Sequence, residues 1–149
     1  MTKLPKTPSF RLDGKKALVT GGSRGIGLGC SVALAEAGAH VIIAARSETQ
    51  VEGAAQAICH AGLKAEGIVL DVTQLDSVKA LFTEHGPYNV VVNSAGTSRH
   101  GSPYETTVED YDAVTSVNMR SAYFLAQEAA LGMKAIGGGS IIQISSQMG

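Results

Sequence analysis

Gly21-Gly22-Ser23-Arg24-Gly25-Ile26-Gly27 is the first stretch of the 149-residue chain whose spacing implies chemistry. It lies between a short apolar run and a segment of helical period. Glycines spaced GxxxGxG there permit a sharp turn, close approach of a ligand to the main chain, and tight packing of helix on strand. A helix that starts at such a turn aims free N–H groups and its positive dipole end at an anion, here a phosphate or diphosphate. Position carries this inference, because a glycine-rich loop elsewhere would be only a tight bend. Five other places hold groups of interest: Arg46-Ser47, Asp71-Val72, Asn93-Ser94-Ala95-Gly96, Asn118 and Ser145-Ser146.

The elements that must position these groups follow from periodicity. Strands are expected over residues 16–20, 41–45, 65–70, 89–93 and 140–145, alternating with helical segments as in successive βαβ units of a parallel sheet. Val51, Ala54, Ala55 and Ile58 mark one helix, with Ser47 and Gln50 placed as a capping box and Gly62 as its stop. Thr73 is placed to cap a second, which carries Leu75, Val78, Leu81 and Phe82 and ends near Gly86-Pro87. A long helix over 108–134 has Tyr111, Val114, Ala122, Leu125, Ala129 and Met133 on one stripe. Asn118 lies on that stripe, where a carboxamide needs buried partners or a trapped water. Ser146 stands at the carboxyl end of the fifth strand, where an open α/β sheet places its ligand crevice. One domain is expected over 1–149, with residues 1–12 a flexible extension and the last strand uncovered on its far side.

Composition excludes several classes. Twelve Lys and Arg against 13 Asp and Glu give a net charge of -1, so neither nucleic acid nor a membrane surface is an expected partner. The apolar content of 44% and 18 glycines fit a folded domain with many tight turns. Cys30 and Cys59, without a CxxC pair, are expected as reduced core thiols of a cytoplasmic protein. His40, His60, His85 and His100 show no metal-ligand spacing, so no metal is expected.

Thr20 to Gly27, Asp71-Val72, Asn93 to Gly96, Asn118 and Ile144-Ser145-Ser146, taken in order, resemble the short-chain dehydrogenase/reductase family over residues 10–149. The resemblance implies a doubly wound parallel sheet of Rossmann type, truncated here after its fifth strand. It also implies a nicotinamide dinucleotide, with hydride exchanged with a small-molecule carbonyl or alcohol. Gly21, Ser23, Arg24, Gly25, Ile26 and Gly27 would then hold the cofactor's phosphates. Asp71, with Val72 beside it, would meet the adenine, and Asn93, Ala95 and Gly96 would line the adenosine and nicotinamide-ribose region. Ser94 departs from the family, which most often has a second Asn there. Ser146, or its neighbour Ser145, would orient the substrate, and Asn118 would hold a water in a proton relay.

Cofactor choice has its own residues. NAD users often place an acidic residue at the end of the second strand, where this chain has Ala45 followed by Arg46 and Ser47. Arg46 and Arg24 could converge on a ribose 2′-phosphate, so NADP(H) is expected in preference to NAD(H). The family's Tyr-x-x-x-Lys element should follow Ser146 by a dozen or so residues, beyond Gly149. The expectation is therefore the amino-terminal part of an NADP(H)-dependent oxidoreductase, a fragment with little activity alone and a homo-oligomer in its full-length form. The alternative is a non-catalytic dinucleotide-binding module.

Overall fold

In the computed structural model, which describes residues 8–146, strands and helices alternate along the chain. They are β1 (Lys16–Thr20), α1 (Gly25–Glu36), β2 (His40–Ala45), α2 (Glu48–His60), β3 (Lys64–Val69), α3 (Leu75–His85) and β4 (Val90–Asn93). There follow α4 (Val108–Thr115), a π-helical segment (Ser116–Ser121), α5 (Ala122–Ala135) and β5 (Ser140–Gln143). The sheet is parallel throughout, in the order β3-β2-β1-β4-β5. The chain thus starts at the centre, winds outward to β3, and returns to wind the other way. The connections leaving β1 and β4 part at their carboxyl ends, the place where an open α/β sheet of this kind puts its ligand crevice.

Alternate strand residues point to opposite faces, and both faces of the central strands are covered, so β1, β2 and β4 are nearly continuous apolar runs. Ala17, Val19, Val41 and Ile43 pack on one side with Ala35, Val51 and Ile58 of α1 and α2. Leu18, Ile42 and Val91 pack on the other with Val78, Leu81, Leu125 and Met133 of α3 and α5. β5 pairs only with β4, and Ile141, Ile142 and Ile144 are 37–45% exposed.

Several local expectations need correcting. Ser47 occupies the N-cap of α2 without a side-chain capping bond. Gln50 Oε1 instead accepts from the Ser23 hydroxyl at 3.5 Å, so the intended capping box is diverted to the phosphate turn. α3 starts after Gln74, and Thr73 folds back: its N–H and hydroxyl donate to Asp71 Oδ1 at 2.9 and 2.8 Å. This local turn competes with a helix cap for the same side chain.

The long helix does run from Val108 to Ala135, but with a wider turn at Ser116–Ser121. One extra residue per turn breaks the 3.6 period. The buried stripe is accordingly Ser121, Leu125, Ala129 and Met133, and Tyr111 is exposed. Cys30 is half-buried and Cys59 exposed, so Cys59 is not a core thiol. Residues 1–7 of the expected flexible extension lie outside the described residues. Further along it, Arg11 Nη1 donates to Glu36 O at 3.0 Å and Leu12 N to Ala37 O at 2.8 Å.

Candidate functional site

The glycine turn is built from backbone contacts that exclude side chains. Gly21 sits at φ +65°, and a Cβ there would lie 2.7 Å from Ser94 O. A Cβ on Gly27 would lie 2.1 Å from Gly21 O. These two glycines press the turn against the end of β4 and α1 against the turn. Gly25 is different: its φ of +53° is left-handed, but open space surrounds the position where a Cβ would be. Leu28 N donates to Arg24 O at 3.1 Å, which leaves the N–H groups of Gly25, Ile26 and Gly27 ahead of the first helical turn. Ile26, an apolar residue at this helix start, is 67% exposed. An anionic group seated here would meet amide hydrogens and a dipole rather than side chains, so the cradle fits a diphosphate.

Ser31 was not foreseen. Its buried hydroxyl reaches Gly27 O at 3.0 Å and Gly22 O at 3.2 Å, fastening α1 to the turn. A serine four residues after Gly27 on the inward face of the helix was the available signal.

Around the turn, the other singled-out residues distribute along one edge of the sheet. Arg46 follows β2 and Arg24 precedes α1, both exposed. The ion pairs among the described residues are Arg11–Asp13 and Arg99–Asp110, so neither Arg24 nor Arg46 has a carboxylate partner. Asp71 lies half-buried beyond β3, with Oδ1 engaged by Thr73 and with Val72 buried beside it. Leu70 N donates to Ala45 O at 2.9 Å and draws this loop to the end of β2.

Asn93 is buried at the end of β4. Its Oδ1 accepts from Thr20 Oγ1 at 2.5 Å and its Nδ2 donates to Gln143 Oε1 at 2.8 Å. Both ends of the carboxamide are thus engaged within the sheet, which leaves Asn93 to position Ser94, Ala95 and Gly96. Ser94 N donates to Thr20 O at 3.0 Å, and Ile144 N to Asn93 O at 2.9 Å. Ser145 and Ser146 therefore emerge beside the Asn93 loop. Gln143 was also not foreseen; a polar residue within the apolar run of β5 was the signal for it.

Asn118 corrects the sequence-based expectation. Its side chain is exposed rather than buried on the helix stripe, because the π-helical segment rotates it out of register. It finds backbone partners: Oδ1 accepts from Thr97 N at 2.9 Å, and Nδ2 donates to Thr97 O at 2.8 Å. Asn118 thereby clamps both polar groups of Thr97, just past Gly96. The irregular loop over 97–103 is tied again by Arg99 to Asp110 at 2.8 Å. Hydrogen bonding to Thr107, and then to Arg99, holds the Asp110 carboxyl below the usual carboxylate range.

The structure thus places the glycine turn, the Asn93–Gly96 loop, Asn118 and the two serines at one end of the sheet, with Arg46 and Asp71 at the ends of its flanking strands. A concavity of about 530 Å³ lined by Tyr111, Met119, Tyr123 and Phe124 lies instead on a helix face that omits Asn118. Among the described residues there is no cluster of His, Cys, Asp and Glu fit for a metal, and no helix long and apolar enough to cross a membrane.

A family model described as short chain dehydrogenase matches residues 15–149. Gluconate 5-dehydrogenase of Gluconobacter oxydans is 37% identical over 141 residues, covering 92% of this chain and 55% of the relative. Galactitol 2-dehydrogenase of Rhizobium johnstonii is 36% identical over 145 residues, covering 94% and 56%. Among solved structures, a gluconate 5-dehydrogenase from Burkholderia cenocepacia, in complex with NADP and tartrate, superposes with a TM-score of 0.85. It is 37% identical, with 93% of this chain and 56% of that one covered. The chain spans about half the length of the curated relatives it matches.

Proposed function

The chain belongs to the short-chain dehydrogenase family, and from that premise we propose that it is the cofactor-holding part of an NADP(H)-dependent oxidoreductase acting on a small-molecule carbonyl or alcohol. The observation that carries this is the bare helix start at Gly25–Ile26–Gly27 above a turn whose other glycines have no room for a side chain. The nicotinamide, when bound, gives or accepts a hydride. Everything else falls to the residues of the chain. Gly21, Ser23, Gly25, Ile26 and Gly27 hold the diphosphate through amides and close packing. Arg46 and Arg24, which have no carboxylate partner among the described residues, and Ser47 take the ribose 2′-phosphate. The NADP named in the complex of the similar Burkholderia enzyme supports the same choice.

Asp71 and Val72 border the adenine, and Asn93 sets the height of Ala95 and Gly96 beside the nicotinamide ribose. Ser146, with Ser145 as alternative, orients the substrate oxygen at the strand end. Asn118, beyond its clamp on Thr97, would hold the relay water. No tyrosine of the 149 residues has a lysine four places later; Val92, Val108, Thr115 and Gln127 occupy those positions. A positioned acid typically contributes about 10²- to 10⁴-fold to such a reaction, so these 149 residues bind cofactor but turn it over feebly. The exposed Tyr111, Met119, Tyr123 and Phe124 support the homo-oligomer proposal for a longer form, through the long helix.

Titrating the 149-residue chain with NADPH and NADH, followed by nicotinamide fluorescence, tests the proposal. Tighter binding of NADPH is expected, and absence of binding by either cofactor would refute it.

A further inference from the structure

Three register partners across the sheet form one polar row at its carboxyl edge. Thr20 pairs with Asn93 between β1 and β4, and Asn93 with Gln143 between β4 and β5. Along that row the Thr20 hydroxyl donates to Asn93 Oδ1, and Asn93 Nδ2 donates at 2.8 Å to Gln143 Oε1. Gln143 Nε2 then donates at 3.3 Å to the carbonyl of Ala122, the first residue after the π-helical segment. Each member lies at the root of a candidate-site segment. Gly21 follows Thr20, Ser94 follows Asn93, Ser145 and Ser146 follow Gln143 after one residue, and Asn118 lies four residues before Ala122.

The geometry points to Gln143 as a positioning residue, whose carboxamide couples the phosphate turn and the Asn93 loop on one side to the Asn118 helix on the other. The inference rests on the proposed cofactor reading for its meaning, but not for its existence. Gln143 fits the task because one planar group supplies an acceptor and a donor on opposite sides. A carboxylate would keep the link to Asn93 and lose the link to Ala122. An apolar side chain of similar size would lose both. On the proposed cofactor reading, Arg46, Ser47 and Asp71, which make none of the Gln143 bonds, would hold the adenosine end, and the segments tied through Gln143 would hold the nicotinamide end.

Gln143→Leu and Gln143→Glu in the 149-residue chain separate these links, with circular dichroism to confirm that each folds. Amide hydrogen exchange should speed up in Gln143→Leu over residues 94–97 and 116–122, and over 116–122 alone in Gln143→Glu. NADPH affinity should fall about two- to tenfold in Gln143→Leu, the span of one net hydrogen bond. Affinity for 2′,5′-ADP, which carries only the adenosine half, should stay within about twofold of wild type. Unchanged exchange in both variants would overturn the inference whatever the cofactor does. Equal loss of NADPH and 2′,5′-ADP affinity would overturn it too, by showing a merely structural role. A wild-type chain that refuses NADPH would overturn the proposed function alone, since the exchange result is read without cofactor.

Discussion

Four glycines of one turn and one helix predict three different outcomes when each is replaced by alanine. At Gly27 the new Cβ would lie 2.1 Å from the carbonyl oxygen of Gly21, a backbone atom that cannot step aside without moving the turn. Gly27→Ala should therefore cost several kcal/mol, on the order of an overpacked core position at the upper end of about 1–3 kcal/mol or beyond. Gly21→Ala meets Ser94 O at 2.7 Å and adds a left-handed φ of +65°, so it should also destabilise strongly. Gly25→Ala meets no atom within 4 Å and carries only the left-handed penalty at φ +53°. That penalty is about 1–2 kcal/mol, partly offset by about 0.4–1 kcal/mol from the stiffer unfolded chain, for a net loss of about 1 kcal/mol. Gly29, exposed inside α1 with open space around it, should gain about 0.5–1 kcal/mol as alanine. Urea denaturation ranks the four, and NADPH titration of the folded variants supplies the second axis. Gly25→Ala should lose at least about tenfold in NADPH affinity, or about 1.4 kcal/mol, because its methyl enters the space left for the diphosphate. Gly29→Ala should lose nothing. A Gly25→Ala chain that binds NADPH like wild type would refute the placement of the phosphates.

Arg46→Ala should weaken NADPH about tenfold to a hundredfold, the worth of a charge-assisted hydrogen bond of about 1.5–3 kcal/mol, and leave NADH within about twofold; equal effects on both would remove Arg46 from the 2′-phosphate. Tyr88 is buried with its hydroxyl unpartnered among the described residues, and burial, then Glu66, pushes its ionisation upward. Tyr88→Phe keeps the edge-on contact with Phe82 and the Lys16 ammonium over the ring, so it should stabilise the fold by about 1 kcal/mol, and a lower melting temperature would contradict this. Asp110 is held ionised below the usual carboxylate range, so its tie to the 97–103 loop is present at neutral pH and lost as pH falls through that lowered value. Amide exchange of the loop should accordingly rise on acidification, and Asp110→Asn should show the same loosening already at pH 7, with no further pH dependence from this pair.

The strands were legible because both faces of a central parallel strand are dry, which makes β1, β2 and β4 short apolar runs that periodicity alone can place within a residue. The glycine turn was legible for a related reason: its constraints are local, set by φ and by the strand before it. What the sequence concealed depended on distant partners. Gln50 leaves Ser47 for Ser23, 27 residues away, and spacing along α2 contains no trace of that choice. Asn118 was found but misplaced, since a 3.6-residue period carried through Ser116–Ser121 puts it on the buried face, and the wider turn sends it to Thr97. Gln143 stands out in sequence as a polar residue in an apolar run, but its role became visible only with strand order, when its register partner proved to be a buried Asn93 whose Nδ2 donates to it.

The most direct test of the phosphate cradle is an amide NMR titration of the 149-residue chain with NADP⁺. The largest shifts should fall on the N–H groups of residues 23–28, with a second group at Arg46 and Ser47. Saturable binding whose shifts cluster elsewhere, leaving the start of α1 unmoved, would contradict it.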